Sequence, residues 1–215
     1  MTTKRTFIAI EFPNEVIRSL QRYCQTLRTD LERQQLDRVL RFVSPRNIHL
    51  TLRFLGDTTP EQVDAITAEL TKLTSAQPVF ELTLRGLGCF PSKHQPNLLW
   101  TDVQCPSNQL NRLQQPIEAI ARAAGFAAET KAFKPHITVA RVERSASSAE
   151  VRRLGSWLDQ MLGSKAVNEW SASFQAQEIS FIESSLQPGG SQYNSLGKFS
   201  LLGKRSGGQS DKVTR

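Results

Sequence analysis

The chain has 215 residues, 39% of them hydrophobic and 22% charged, with a net charge of +7. This is enough chain to bury a real core in one medium domain or two small lobes, the composition excludes a disordered chain, and no apolar run approaches the roughly 20 residues that span a bilayer. The positive charge invites a nucleic-acid partner, but four Lys/Arg and one Asp fall in the last twelve residues, "KRSGGQSDKVTR", and without them the balance is 23 basic to 19 acidic residues, +4.

The opening "MTTKRTFIAIEFPNE" has too short an apolar stretch for a secretory leader, so the reading is a cytoplasmic protein. Residues 6–12, "TFIAIEF", form a strand pattern stopped by Pro13, and Asn14 can cap the helix that follows. That helix carries Val16, Ile17, Leu20, Tyr23, Leu27 and Leu31 at helical spacing. A strand follows in "NIHLTLRFLG", residues 47–56. Next comes a helix with Thr59 as cap, Pro60 in first position and Gln62 closing a capping box. "VFELTLRGLGCF" and "NLLWTDVQC" are two strands joined through "PSKHQP". The helix in "SNQLNRLQQPIEAIARAAG" turns Leu110, Leu113 and Ile117 inward and stops at Gly125, with Pro116 expected to kink or split it. A strand in "FKPHITVAR" precedes a helix with a Ser147/Glu150 capping box and Gly163 as its stop. A long strand over 170–184, the turn "QPGG" and a last strand around "YNSLGKFSLL" complete the pattern, and residues 204–215 read as a disordered basic tail.

Short strands broken by helices, with hairpin-like pairs, predict an α+β fold and not a doubly wound sheet. The two halves match. Thr59 lies 10 residues after His49 and Ser147 lies 11 after His136, each opening the helix after its histidine strand. A duplicated unit related by a pseudo-twofold axis would bring both histidine strands to one cleft.

In an extended segment alternate side chains share a face. His49, Thr51 and Arg53 therefore point one way, with Phe54 on the other side. His136 and Thr138 share a face, and Arg141 falls on the opposite one. A single strand histidine is most simply a packed or hydrogen-bonded residue, and Thr is a good strand former. Two His-x-Thr segments at matched positions, in a chain with only three histidines, favour a site. Its donors suit zinc poorly, because there is no His-x-His, no Cys pair and no carboxylate at ligand spacing. Cys24, Cys89 and Cys105 are far apart and read as buried reduced thiols. No hydroxyl has an adjacent base held by a third group, so nucleophilic catalysis is not indicated either. Paired imidazoles suit acid–base work: one takes a proton from water and the other gives one to a leaving alkoxide. A phosphodiester needs this most. Thr51 and Thr138 would hydrogen-bond its non-bridging oxygens, and Lys134 and Arg141 are candidates to neutralise them. His94, in a loop with no partner pattern, reads as a surface residue. Phe90 or Trp100 could stack a base, though a strand Trp is more often core, and "QPGG" is most simply a turn.

With "RTFIAIEFP", "NIHLTLRFLGD", "GLGCFPSKHQPNLLW", "FKPHITVAR" and "IESSLQPGGSQY", the chain resembles the two-histidine phosphoesterases, and within them the RNA 2′,3′-cyclic phosphodiesterases, also called 2′-5′ RNA ligases. The resemblance extends to about residue 203, so residues 1–203 are expected to form one domain. It implies a bilobed α+β architecture, two pseudo-symmetric antiparallel sheets lining a central groove with helices outside. It also implies cofactor-free, metal-independent hydrolysis of a terminal 2′,3′-cyclic phosphate to a 2′-phosphomonoester. His49 would be the proton donor to the leaving ribose oxygen, His136 the base on water, and Thr51 and Thr138 phosphate binders. RNA ends such as tRNA halves would be the partners of a monomer. The alternatives are ATP-independent 2′-5′ ligation in the reverse direction and a non-catalytic RNA-end binder.

Overall fold

The first strand, β1 (Lys4–Glu11), is apolar on both faces at its centre, the pattern of a strand covered on both sides. Ile8 and Ile10 join the main core, whereas Phe7 and Ala9 meet Ile182 in a smaller cluster on the opposite face. In the computed structural model, which describes residues 3–187 and 190–202, the chain continues through α1 (Asn14–Arg33), β2 (Leu40–Phe42), a 3₁₀ turn (Pro45–Asn47), β3 (His49–Thr58), α2 (Pro60–Thr74), β4 (Phe80–Ser92), β5 (Gln95–Gln104) and α3 (Gln109–Ala123). It then forms β6 (His136–Val142), α4 (Ser148–Leu162), α5 (Lys165–Asn168), β7 (Ser171–Ala176), β8 (Glu178–Gln187) and β9 (Gly190–Ser200).

All strand pairings are antiparallel and make two sheets, a four-stranded one in the order β3-β1-β8-β9 and a five-stranded one in the order β2-β6-β5-β4-β7. Helices α2 and α3 pack on the first sheet, α1, α4 and α5 on the second, and one apolar cluster runs through both lobes. The fold is α+β and two-lobed, as expected. The repeat is easiest to see as β1-α1-β3-α2-β4 against β5-α3-β6-α4-β8. In each copy the first strand pairs with the histidine strand, Glu11 opposite His49 and Asp102 opposite His136. The last strand of each copy crosses into the other lobe's sheet. Among the described residues β2, at the β6 edge, has no counterpart in the four-stranded sheet.

Local chemistry sets the element ends. Thr59 and Gln62, and likewise Ser147 and Glu150, form reciprocal capping boxes. Gly125 ends α3 with φ +93° and the Phe126 N–H bonded to the Ala121 carbonyl, a left-handed stop that glycine adopts without a Cβ clash.

Several expectations are corrected. Asn14 does not cap α1; it is the first helical residue, and Pro13 occupies the cap position with its carbonyl accepting from the Ile17 N–H. Pro116 does not split α3, which runs unbroken across it, because the helix is held by its buried face of Leu110, Leu113, Ile117 and Ala121. The expected single strand over 170–184 is two, β7 and β8, in different sheets. The chain changes lobe at Gln177, and the Leu201 N–H bonds the Gln177 carbonyl there. The three thiols are only partly buried; burial pushes the Cys24 thiol up to about 12, which keeps it protonated and unreactive. Part of "QPGG" and the tail 204–215 lie outside the described residues.

The largest correction concerns Arg53. Strict alternation places it beside His49 and Thr51, but Ile8 faces Arg53 while Ala9 faces Thr51, leaving Leu52 as an extra residue in β3. This bulge reverses the phase of the strand. Arg53 turns inward and is 9% exposed, and Phe54 takes the outward place. The Arg53 Nε lies 2.6 Å from Glu118 Oε2, too oblique for an aligned hydrogen bond, so charge proximity holds the pair. Nη1 and Nη2 donate to the carbonyls of Phe54 and Ala127 at 2.9 and 2.5 Å, and Glu129 approaches at 3.7 Å. Arg53 thereby ties β3 to α3 and to the segment leading into β6. Removing one member of a buried pair strands the other charge, at about 3–5 kcal/mol. Because Glu118 keeps some exposure, Arg53→Ala is predicted to cost roughly 2–4 kcal/mol in urea unfolding; a loss below about 0.5 kcal/mol, the level of an ordinary surface substitution, would contradict a structural role for this pair.

Candidate active site

Strand β3 lies at the edge of one sheet and β6 next to the edge of the other, and the outward faces of the two strands line one cleft. Its volume is about 660 Å³, and His49, Thr51, His136, Thr138 and Arg141 are in its walls. Thus five of the six residues singled out from sequence come together. Lys134 is not among the lining residues; its contact with the site is through its backbone carbonyl, described below.

The placement of Arg141 corrects the expectation from strict alternation. Trp100 faces Thr138 and Leu99 faces Ala140, so Val139 is an extra residue in β6, as Leu52 is in β3. Val139 and Ala140 are both buried, and Arg141 returns to the face of His136 and Thr138. The two strands therefore share a spacing of His-x-Thr-x-x-outward residue, with Phe54 in the last place of one and Arg141 in the last place of the other.

Each imidazole is held the same way. His49 Nδ1 lies 2.9 Å from the Asn47 carbonyl oxygen, and His136 Nδ1 lies 2.7 Å from that of Lys134. A carbonyl can only accept, so each Nδ1 must carry the proton and donate it. Nε2 is then the free nitrogen, a base when the ring is neutral and an acid when it is charged. Asn47 is itself fixed by its side-chain amide, which donates to the Ser191 carbonyl at 2.8 Å. Aromatic rings support both histidines. Phe7 stacks on His49 with centroids 4.6 Å apart and Tyr193 meets it edge-on at 5.3 Å. Phe90 meets His136 edge-on at 5.1 Å, with Trp100 at 6.3 Å. Phe90 and Trp100 also stack on each other; both are half-buried and neither is among the residues lining the cleft.

Burial holds His49 below its ordinary value, against the Asn47 carbonyl and the Glu11 carboxylate, which both raise it. Glu11 is engaged elsewhere, accepting from Ser180 at 2.6 Å and lying 3.2 Å from Lys198. Among the described residues the charged groups lining the cleft are Arg5, Arg41 and Arg141, with no carboxylate, which suits an anionic ligand. Arg5 sits over the Phe54 ring at 4.9 Å. Among the described residues no three His, Cys, Asp or Glu side chains are grouped as a metal-ligand set, and no helix is long and apolar enough to cross a membrane. His94 is exposed at the β4–β5 hairpin tip. Sequence reasoning missed Arg5, Arg41, Phe54 and Tyr193 as cleft residues. The sequence carried no clear signal for any of them; for Phe54 the two residues after Thr51 are Leu52 and Arg53, not an apolar pair like Val139 and Ala140.

Comparison with known proteins agrees with this architecture. A family model described as LigT-like phosphoesterase matches residues 13–100 and 102–193. An RNA 2′,3′-cyclic phosphodiesterase of Aeropyrum pernix is 33% identical over 104 residues, 48% of this chain and only 58% of that protein's length. One from Thermus thermophilus is 30% identical over 166 residues, 75% of this chain and 76% of its own. A solved structure of a Thermus thermophilus protein superposes with a TM-score of 0.70 at 26% identity, covering 93% of this chain and 99% of that one. The family match takes in both histidine strands and nearly all of the two lobes that form the cleft, and the chain belongs to the LigT-like phosphoesterase family.

Proposed function

We propose that the protein hydrolyses the terminal 2′,3′-cyclic phosphate of RNA to a 2′-phosphomonoester, with residues 1–203 as one catalytic unit in the cytoplasm. The observation that carries this reading is the pair of imidazoles in one cleft, each with Nδ1 committed to a carbonyl and Nε2 free. Two opposed acid–base groups are what phosphodiester opening needs and what simple anion binding does not.

In this reading water attacks phosphorus as His136 Nε2 takes its proton. The bond from phosphorus to the 3′ oxygen breaks, and His49 Nε2–H protonates that oxygen. The 2′ oxygen stays on phosphorus. Thr51 and Thr138 donate to the non-bridging oxygens, where fixed donors stabilise the transition state more than bulk water would, and Arg141 lies farther along the same wall as a substrate-binding cation. Lys134 acts through its carbonyl, which fixes the His136 tautomer. No step requires a cofactor or a metal, and each proton has a named donor and acceptor among the chain's own groups.

A short RNA ending in a 2′,3′-cyclic phosphate, incubated with the protein in excess EDTA, should give the 2′-phosphate. His49→Ala and His136→Ala should each lower turnover by about 10²–10⁴-fold. Undiminished turnover in either variant, or its loss in EDTA, would sink the mechanism; RNA binding without turnover in the parent would favour the binder.

His49 in its buried place holds its proton less tightly than an ordinary histidine. A bell-shaped profile of kcat/KM is therefore expected with one limb below about 6.5, and a profile with both limbs above that value would contradict the involvement of a buried His49.

A further inference from the structure

In the short pair formed by β2 and β6, Arg41 stands directly opposite Arg141. Directly opposed residues of an antiparallel pair point to the same side, and like charges there destabilise the pairing. Both side chains line the cleft. Arg41 has one carboxylate near it, Glu143 at 3.5 Å, and is 68% exposed. Among the described residues Arg141 has no ion-pair partner. β2 is also the strand with no counterpart in the other lobe. At the place of Arg141 in the other lobe stands Phe54, paired with Phe7 of β1 as Arg141 is with Leu98 of β5, and with Arg5 over its ring. The directly opposed pair of arginines is thus a feature of the β6 wall and depends on an added three-residue strand.

We propose that Arg41 and Arg141 together bind the phosphate on the 5′ side of the terminal nucleoside, so that the cleft takes the end of an RNA strand in preference to a cyclic mononucleotide. This rests on the reading of the cleft as an RNA-end phosphodiesterase site. Arg141 lies three residues past Thr138 on the same face, about 10 Å along the strand before the shortening at the bulge. An arginine's own length spans the remaining gap from the reacting phosphate to the next one along the chain. A phosphate between two guanidiniums converts their mutual repulsion into shared bidentate contact, which accounts for a like-charge pair at directly opposed positions.

The test compares three ligands by titration calorimetry at several salt concentrations: adenosine 2′-phosphate, adenosine 2′,5′-bisphosphate and a trinucleotide ending in a 2′-phosphate. The parent protein should bind the bisphosphate and the trinucleotide at least tenfold more tightly than the monophosphate. Arg41→Gln should reduce that ratio to about twofold and lower the salt dependence of trinucleotide binding by about one phosphate contact. Arg41→Lys should keep part of the preference. The unfolding midpoint of Arg41→Gln should be unchanged or higher, since a repulsion is removed. A ratio near one in the parent, or one that survives Arg41→Gln, overturns the proposal, as does a gain for the bisphosphate without one for the trinucleotide. A lowered midpoint with the ratio intact would make Arg41 a structural residue. Because binding is read without turnover, a parent that shows the preference but opens no cyclic phosphate would refute the proposed activity and leave the phosphate clamp standing.

Discussion

Side chains on a strand alternate between its two faces, and the cleft of this protein depends on two strands interrupting that alternation at the same place. One extra residue in each, Leu52 in β3 and Val139 in β6, puts two consecutive side chains into the core and returns the next to the cleft. Without the bulge, Arg53 would face the cleft and Phe54 the core; Arg141 would be buried and unpaired, at a cost of several kcal/mol for an uncompensated charge. With it, Arg53 becomes an interior tie from β3 to α3 and to the segment before His136, while the cleft gains an aromatic residue on one side and a cation on the other.

The same pairing sets the histidines. Each stands at the first residue of its strand, where the chain has just turned and the carbonyl two residues back is free to meet Nδ1. A proton-transfer group needs a fixed tautomer and a free second nitrogen, and a contact to a carbonyl two residues away in the chain provides both. The tertiary structure adds rings around each imidazole and, for His49, burial deep enough to weaken its hold on a proton. The lobes are alike in their backbones and unlike in what they present to the cleft.

Much of this was legible in the sequence. Capping boxes named two helix starts to the residue, because their signal lies within four positions of the chain. The matched His-x-Thr segments gave the duplicated unit and the residues that face the cleft. What failed was phase and partnership. A bulge inserts one residue without changing composition, so strict alternation misplaced Arg53, Phe54 and Arg141 together. The change of lobe at Gln177 is invisible in a run that stays strand-like on both sides. Arg41 and Tyr193 reach the cleft only through pairings between distant segments, and Lys134 entered for its charge where its carbonyl makes the contact.

The central claim is that the two imidazoles work as one unit in a single bond-breaking step. The double variant His49→Ala/His136→Ala, compared in single-turnover hydrolysis with each single variant, tests it most directly. Groups that act together lose nearly everything when either is removed, so the double variant should be no more than about tenfold slower than the slower single one. If the two losses instead multiply in full, the histidines contribute independently, and the concerted two-histidine account is wrong.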